Sequence, residues 1–267
     1  MDTHSAASSD TARIVAVVGA TVLAIVGSFV GSGVVVGTPV AEAAGGALAP
    51  GATAVAPASP AFSIWSVVYV GFVAYAIWQA LPAQRANERQ RRAGWWIALA
   101  MILNAAWILS IQFDLLWVSV LVILALLATL VVIFRSFVSN PPASTVEAVV
   151  ADGTMFLYLG WVCVAVVANI AAALASEGID PFGLGATTWA IVVLVVVGVV
   201  SVVLATAGHG RLAPAVAIAW GLVWIAVARS DEATAPSTAV AVTSAVVAAV
   251  ALLAAVSVRV LERGRAA

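Results

Sequence analysis

Eight stretches of this chain, residues 14–36, 61–81, 95–111, 115–137, 148–175, 187–206, 212–228 and 238–260, each approach or exceed the roughly 20 apolar residues that cross a bilayer as a helix. No other property narrows the fold as far. Lipid offers no partner to a peptide group, so only helices or closed barrels span it. With 64% hydrophobic and 9% charged residues, the chain is an integral membrane protein. The expected fold is an all-α, polytopic transmembrane bundle of eight spans. The third span is the shortest, and only Gln112 to Asp114 separates it from the fourth, which predicts a tight helical hairpin.

When the eight spans alternate, ten of the eleven basic residues, all arginines, fall on one face. They are Arg13, the cluster Arg85, Arg89, Arg91 and Arg92, then Arg135, Arg211, Arg259, Arg263 and Arg265. Arg229 lies opposite, with Glu42, Asp114, Glu177, Asp180, Asp231 and Glu232. Both termini are therefore expected in the cytoplasm, with a bacterial plasma membrane as the compartment. Ala41-Glu42-Ala43 resembles a signal cleavage site, but the apolar run before it is longer than the roughly 7–15 residues of a signal core. Its basic flank is Arg13 alone, so a retained helix is the better reading.

Missing residue types remove several functions. Without lysine there is no retinal Schiff base and no Walker A phosphate loop. His4 and His209 do not form a bis-histidine haem site, and the single Cys163 gives neither a disulfide framework nor a cysteine metal site. Asp152 is the one ionisable group found inside a span, which disfavours an ion-coupled pump. It is read as an interface carboxylate paired with an arginine such as Arg135. No nucleic-acid partner, metal or covalently bound cofactor is implied, and no catalytic residue is assigned.

Residues 1–13 read as a short polar tail. The loop 37–60, with Pro39, Pro50, Pro57 and Pro60, is the longest, and is either a lid or an inconsequential linker. Residues 85–92 read as a basic anchor able to touch anionic lipid, or as a topology signal alone. Ser144 and Glu147 match a capping box at the start of the fifth helix. Gly27 and Gly31, and Gly33 and Gly37, are spaced for close backbone approach, in a homodimer contact or within one chain.

The candidate site is a constellation of aromatics and amides. Phe62, Trp65, Tyr69 and Phe72 make a stripe on the second helix, Asn104 and Trp107 share a face of the third, and Tyr158, Trp161, Ala165 and Asn169 share a face of the fifth. An unpartnered amide in hydrocarbon costs on the order of several kcal/mol, so a neighbouring helix or a ligand must contact the asparagines. Interfacial aromatic belts account for Trp95, Trp96, Trp117 and Trp189. Trp107 and Trp161 lie deeper. Trp220 and Trp224, on the seventh helix, either extend a pocket or simply pack.

Phe62-Ser63-Ile64-Trp65-Ser66-Val67-Val68-Tyr69, Leu103-Asn104-Ala105-Ala106-Trp107 and the run from Tyr158 through Trp161 and Ala165 to Asn169 resemble, in order, second-, third- and fifth-helix motifs of the translocator protein family, the tryptophan-rich sensory proteins (TspO/MBR). The resemblance covers residues 14–175 and implies a five-helix core. To this the chain adds three helices and a short tail in residues 176–267. It further implies a cavity lined by Trp65, Tyr69, Asn104, Trp107, Trp161, Ala165 and Asn169, to which the aromatic faces add Phe62 and Tyr158 as candidates, and which takes a porphyrin or other tetrapyrrole, or a sterol-like ligand, for sensing, regulation or transport. Tryptophans of some bacterial members are linked to light-dependent porphyrin breakdown, which leaves an enzymatic role open. Ile108-Leu109-Ser110-Ile111-Gln112-Phe113 differs from the family's Ser-Pro and paired phenylalanines, and the loop 37–60 lacks the family's aromatics. The alternatives are a secondary transporter of another small solute and a structural or regulatory membrane subunit.

Overall fold

A computed structural model describes residues 3–31 and 37–266. Gly33, and the end of the first apolar stretch, lie outside the described residues. Eight helices are long and apolar enough to cross a membrane, and no strand occurs among the described residues. They are α1 (Thr3–Gly31), α2 (Ile64–Ala80), α3 (Glu88–Gln112), α4 (Leu116–Ser139), α5 (Thr145–Ser176), α6 (Ala186–Ala207), α7 (Leu212–Ser230) and α8 (Thr238–Ala266). The chain is a multi-pass membrane protein.

Two of these helices reach further than hydropathy suggests. α1 begins at Thr3, so the segment read as a tail is helical from that residue, and Asp10 receives both Nε and Nη2 of Arg91, at 2.8 and 2.6 Å. α3 begins at Glu88 rather than 95 and is 25 residues long, so it is not the shortest span. Asn87 caps it, accepting the backbone N–H of Arg89 at 3.0 Å. The hairpin into α4 is as tight as expected, with the Leu115 N–H donating to the Ser110 carbonyl at 2.8 Å.

Within the arginine-rich end, Arg85 and Arg92 are exposed while Arg89 is part of a buried polar junction. Arg89 donates to Asp152 at 2.6 Å, to Glu147 at 3.2 Å and to the Asn140 carbonyl at 2.6 Å, and its guanidinium lies over the Phe137 ring. Arg211, from the α6–α7 turn, approaches Asp152 at 4.0 Å. These residues replace Arg135, which is exposed, as the partners of Asp152. The Glu147 N–H bonds the Ser144 hydroxyl at 3.1 Å while the Glu147 carboxylate reaches back to the Ala143 N–H at 2.9 Å, a capping box displaced by one residue. A π-helical turn at Ala148–Gly153 follows, and it carries Asp152.

α5 is the centre of the bundle. It packs on α2, α4 and α7, while α7 packs on α8 and α8 on α6. Without a hydrophobic drive in lipid, small residues decide how closely such helices meet. A Cβ at Gly160 of α5 would run into the Pro214 carbonyl of α7, so the joint between the first five helices and the last three is set at backbone contact. A Cβ at Gly27 would stand 3.4 Å from Ala105, which makes this residue part of α1–α3 packing within the chain.

Candidate ligand-binding site

Beneath the first loop, α2, α3, α4 and α5 enclose a cavity. Phe62, Trp65, Asn104, Trp107, Trp161, Ala165 and Asn169 line it, with Ile123 and Leu126 of α4. A short 3₁₀ helix, Ser59–Ser63, leads into α2 and sets Phe62 at the rim. Helical spacing then stacks Trp65 on Tyr69, at 5.6 Å between centroids and 26° between planes. Trp65 also meets the edges of Tyr158 and Trp161, at 5.6 and 6.3 Å, and Phe62 meets Trp161 at 6.0 Å. These edge-to-face separations are the favourable range for aromatic pairs.

Both asparagines are satisfied by neighbouring helices. Tyr69 donates its hydroxyl to Asn104 Oδ1 at 3.0 Å, and Asn104 Nδ2 donates to the Tyr158 hydroxyl at 3.0 Å. Trp107 Nε1 donates to Asn169 Oδ1 at 2.6 Å, and Asn169 Nδ2 donates to Ser119 Oγ of α4 at 3.0 Å. Both amides are buried. Tyr69 and Tyr158 stand behind the lining and fix the Asn104 amide rather than facing the cavity.

Two lining groups have no partner. The indole Nε1 of Trp161 and the hydroxyl of Thr53 are buried and make no hydrogen bond. Orphaned donors in an apolar wall cost on the order of 1–3 kcal/mol each, a cost that a ligand acceptor removes. The cavity extends over about 680 Å³ out to its mouth, yet only about 40 Å³ of it is wide enough to hold water, room for a few molecules. Its aromatic wall is angular: Trp65 and Trp161 meet at 84° and Phe62 and Trp161 at 76°.

The first loop lies over this cavity. Ala47, Leu48, Thr53, Ala56 and Pro57 complete the lining, and short turns order the segment. Of the two readings of residues 37–60, the covering one describes the structure. Trp220 and Trp224 do not line the cavity. Trp220 Nε1 donates to the Ala61 carbonyl at 2.9 Å, and the Trp224 carbonyl receives the Ala58 N–H at 3.1 Å, so both hold the end of the loop. The loop residues, Ser119, Ile123 and Leu126 were not singled out from sequence. Small or aliphatic residues and one serine give no signal against a lipid-facing background. Among the described residues, no cluster of His, Cys, Asp or Glu suits a metal ion.

Over residues 14–257 the chain matches the family described as TSPO-like protein. The match continues through α6, α7 and most of α8, beyond the residues that carry the motifs. No curated protein and no solved structure matches the chain.

Proposed function

The chain belongs to the TSPO-like protein family, and we propose that it binds a flat hydrophobic small molecule, a tetrapyrrole such as a porphyrin or a sterol-like compound, in the cavity under the first loop. The carrying observation is the unpartnered Trp161 Nε1 in an aromatic wall whose two asparagines are already bonded. Trp65 and Trp161 stand nearly perpendicular, at 84°, so a planar ligand that stacks on one ring meets the edge of the other, and the free donors of Trp161 and Thr53 suit acceptors at the ligand's edge. The role that follows is sensing, regulation or transport of that molecule. The one-sided arginine distribution supports cytoplasmic termini, and the membrane proposed with it, from a composition without lysine and rich in Ala, Val and Arg, is a bacterial plasma membrane.

Titrating protoporphyrin into the detergent-solubilised protein tests this reading through the porphyrin's absorption band. Saturable micromolar binding, weakened in Trp161→Phe, is the expected result. Equal, non-saturable spectra in both proteins would mean partition into the micelle and would overturn it. One observation favours a second reading, a structural or regulatory subunit: Asn104 and Asn169 are already saturated by neighbouring helices. Under that reading porphyrin and sterol both fail to saturate.

A further inference from the structure

We propose that Arg229 of α7 latches the first loop shut, so that the last three helices govern access to the cavity. The proposal rests on the cavity being the ligand site, but the latch itself is a property of the loop.

The loop is tied at both ends. Near its start, the Thr38 backbone N–H donates to Gln112 Oε1 at 3.0 Å while Gln112 Nε2 donates to the Thr38 carbonyl at 2.7 Å, a two-point clamp onto α3. At its end, the Ala58 N–H and the Ala61 carbonyl are held by Trp224 and Trp220 of α7. Between these ties run the five lining residues from Ala47 to Pro57. In that stretch Arg229 Nη2 donates to the Pro50 carbonyl, and Gly51 lies against Thr234 of the α7–α8 turn.

The chemistry of Arg229 suits a bond meant to break. Its side chain is 2% exposed and forms no ion pair among the described residues. Its acceptors are two backbone carbonyls, Pro50 and, at 3.2 Å, Ala235, and its Nε has no partner. A buried guanidinium held by carbonyl dipoles alone keeps much of its desolvation penalty. Releasing Pro50 opens the loop and hydrates the cation, while the closed loop keeps a charge-assisted bond to the Pro50 carbonyl that an apolar side chain cannot make. The turn that presents Ala235 is prearranged: Asp231 caps the Ala233 N–H at 3.0 Å, and the Ser237 N–H bonds the Arg229 carbonyl at 2.9 Å. The latch therefore transmits the position of the α7–α8 turn to the mouth of a cavity built by α2 to α5.

The test measures loop opening without a ligand. In a Cys163→Ala background, the rate at which a water-soluble maleimide labels Ala56→Cys, a buried position of the loop itself that lines the cavity, is compared with Ala100→Cys, buried in α3. Arg229→Leu should speed labelling at position 56 about tenfold or more, the scale of one charge-assisted hydrogen bond, and leave position 100 unchanged. Arg229→Lys, which keeps the charge and part of the donor set, should fall between and decides the matter if the leucine variant does not fold. An unchanged rate at position 56, or an equal rise at both positions, overturns the latch. Failure of protoporphyrin to bind, with the labelling as expected, sinks the ligand reading and leaves the latch standing.

Discussion

Arg89 Nη2 lies 2.6 Å from Asp152 Oδ1, across 63 residues of chain and between two helices, with both side chains buried. Asn140, Glu147 and Phe137 complete the shell around the guanidinium. Removing one member of a buried pair leaves the other uncompensated, so Arg89→Gln should cost about 3–5 kcal/mol of stability. Asp152→Asn added to it should recover part of the loss. Arg135→Gln, at an exposed position, should change stability by less than about 0.5 kcal/mol. Denaturant unfolding in mixed micelles measures all three. A small cost for Arg89→Gln would mean that water already reaches the pair.

Trp161→Phe separates binding from packing. It keeps an aromatic face in the cavity and deletes the unpartnered donor. Loss of ring volume and relief of that orphan oppose one another, so stability should move by less than about 1 kcal/mol. Porphyrin affinity should fall by about three- to tenfold, the worth of one hydrogen bond. Absorption titration gives the affinity and thermal unfolding the stability. A stability loss with unchanged affinity would make Trp161 a packing residue.

The eight helices were legible because a bilayer allows few other solutions for such apolar runs, and the site helices because aromatics and amides stand out in lipid. The start of α3 was not, since hydropathy stops at charged residues and the partners of the Arg89 guanidinium lie 48 or more residues away, from Phe137 in α4 through Asn140 to Asp152 in α5. Periodicity puts Tyr69 and Tyr158 on the same faces as Trp65 and Trp161 but carries no sign of their bonds to Asn104. The asparagines posed a question that sequence alone left open, helix or ligand, and the answer came from Tyr69, Tyr158, Trp107 and Ser119. Nothing in the composition of 37–60 indicated that Pro50 meets Arg229, a contact between residues 179 apart.

Asn104→Leu should expose what the amide holds together. Tyr158 is fully buried, and losing its partner costs about 1–3 kcal/mol, with a smaller term for the less buried Tyr69. Adding Tyr158→Phe should return a measurable part, so the pair would show a coupling of about 1 kcal/mol in a double-mutant cycle. Independent, additive losses in denaturant unfolding would show that Asn104 serves the cavity and not the tyrosines.

Gly160→Ala tests whether backbone contact between α5 and α7 sets the shape of the cavity. The added methyl meets the Pro214 carbonyl and Ala217, and a backbone carbonyl does not swing aside as a long side chain does. The helices must therefore part, at a cost of about 1–3 kcal/mol or more. Gly160 directly precedes Trp161, so the same shift moves the cavity wall, and porphyrin affinity should fall together with stability. Gly19→Ala in α1 is the control: nothing lies within 4 Å of the new methyl, and helix propensity alone should raise stability by up to about 1 kcal/mol. If Gly160→Ala matches that control in both unfolding and titration, α5 and α7 are free to separate, and the last three helices do not brace the site.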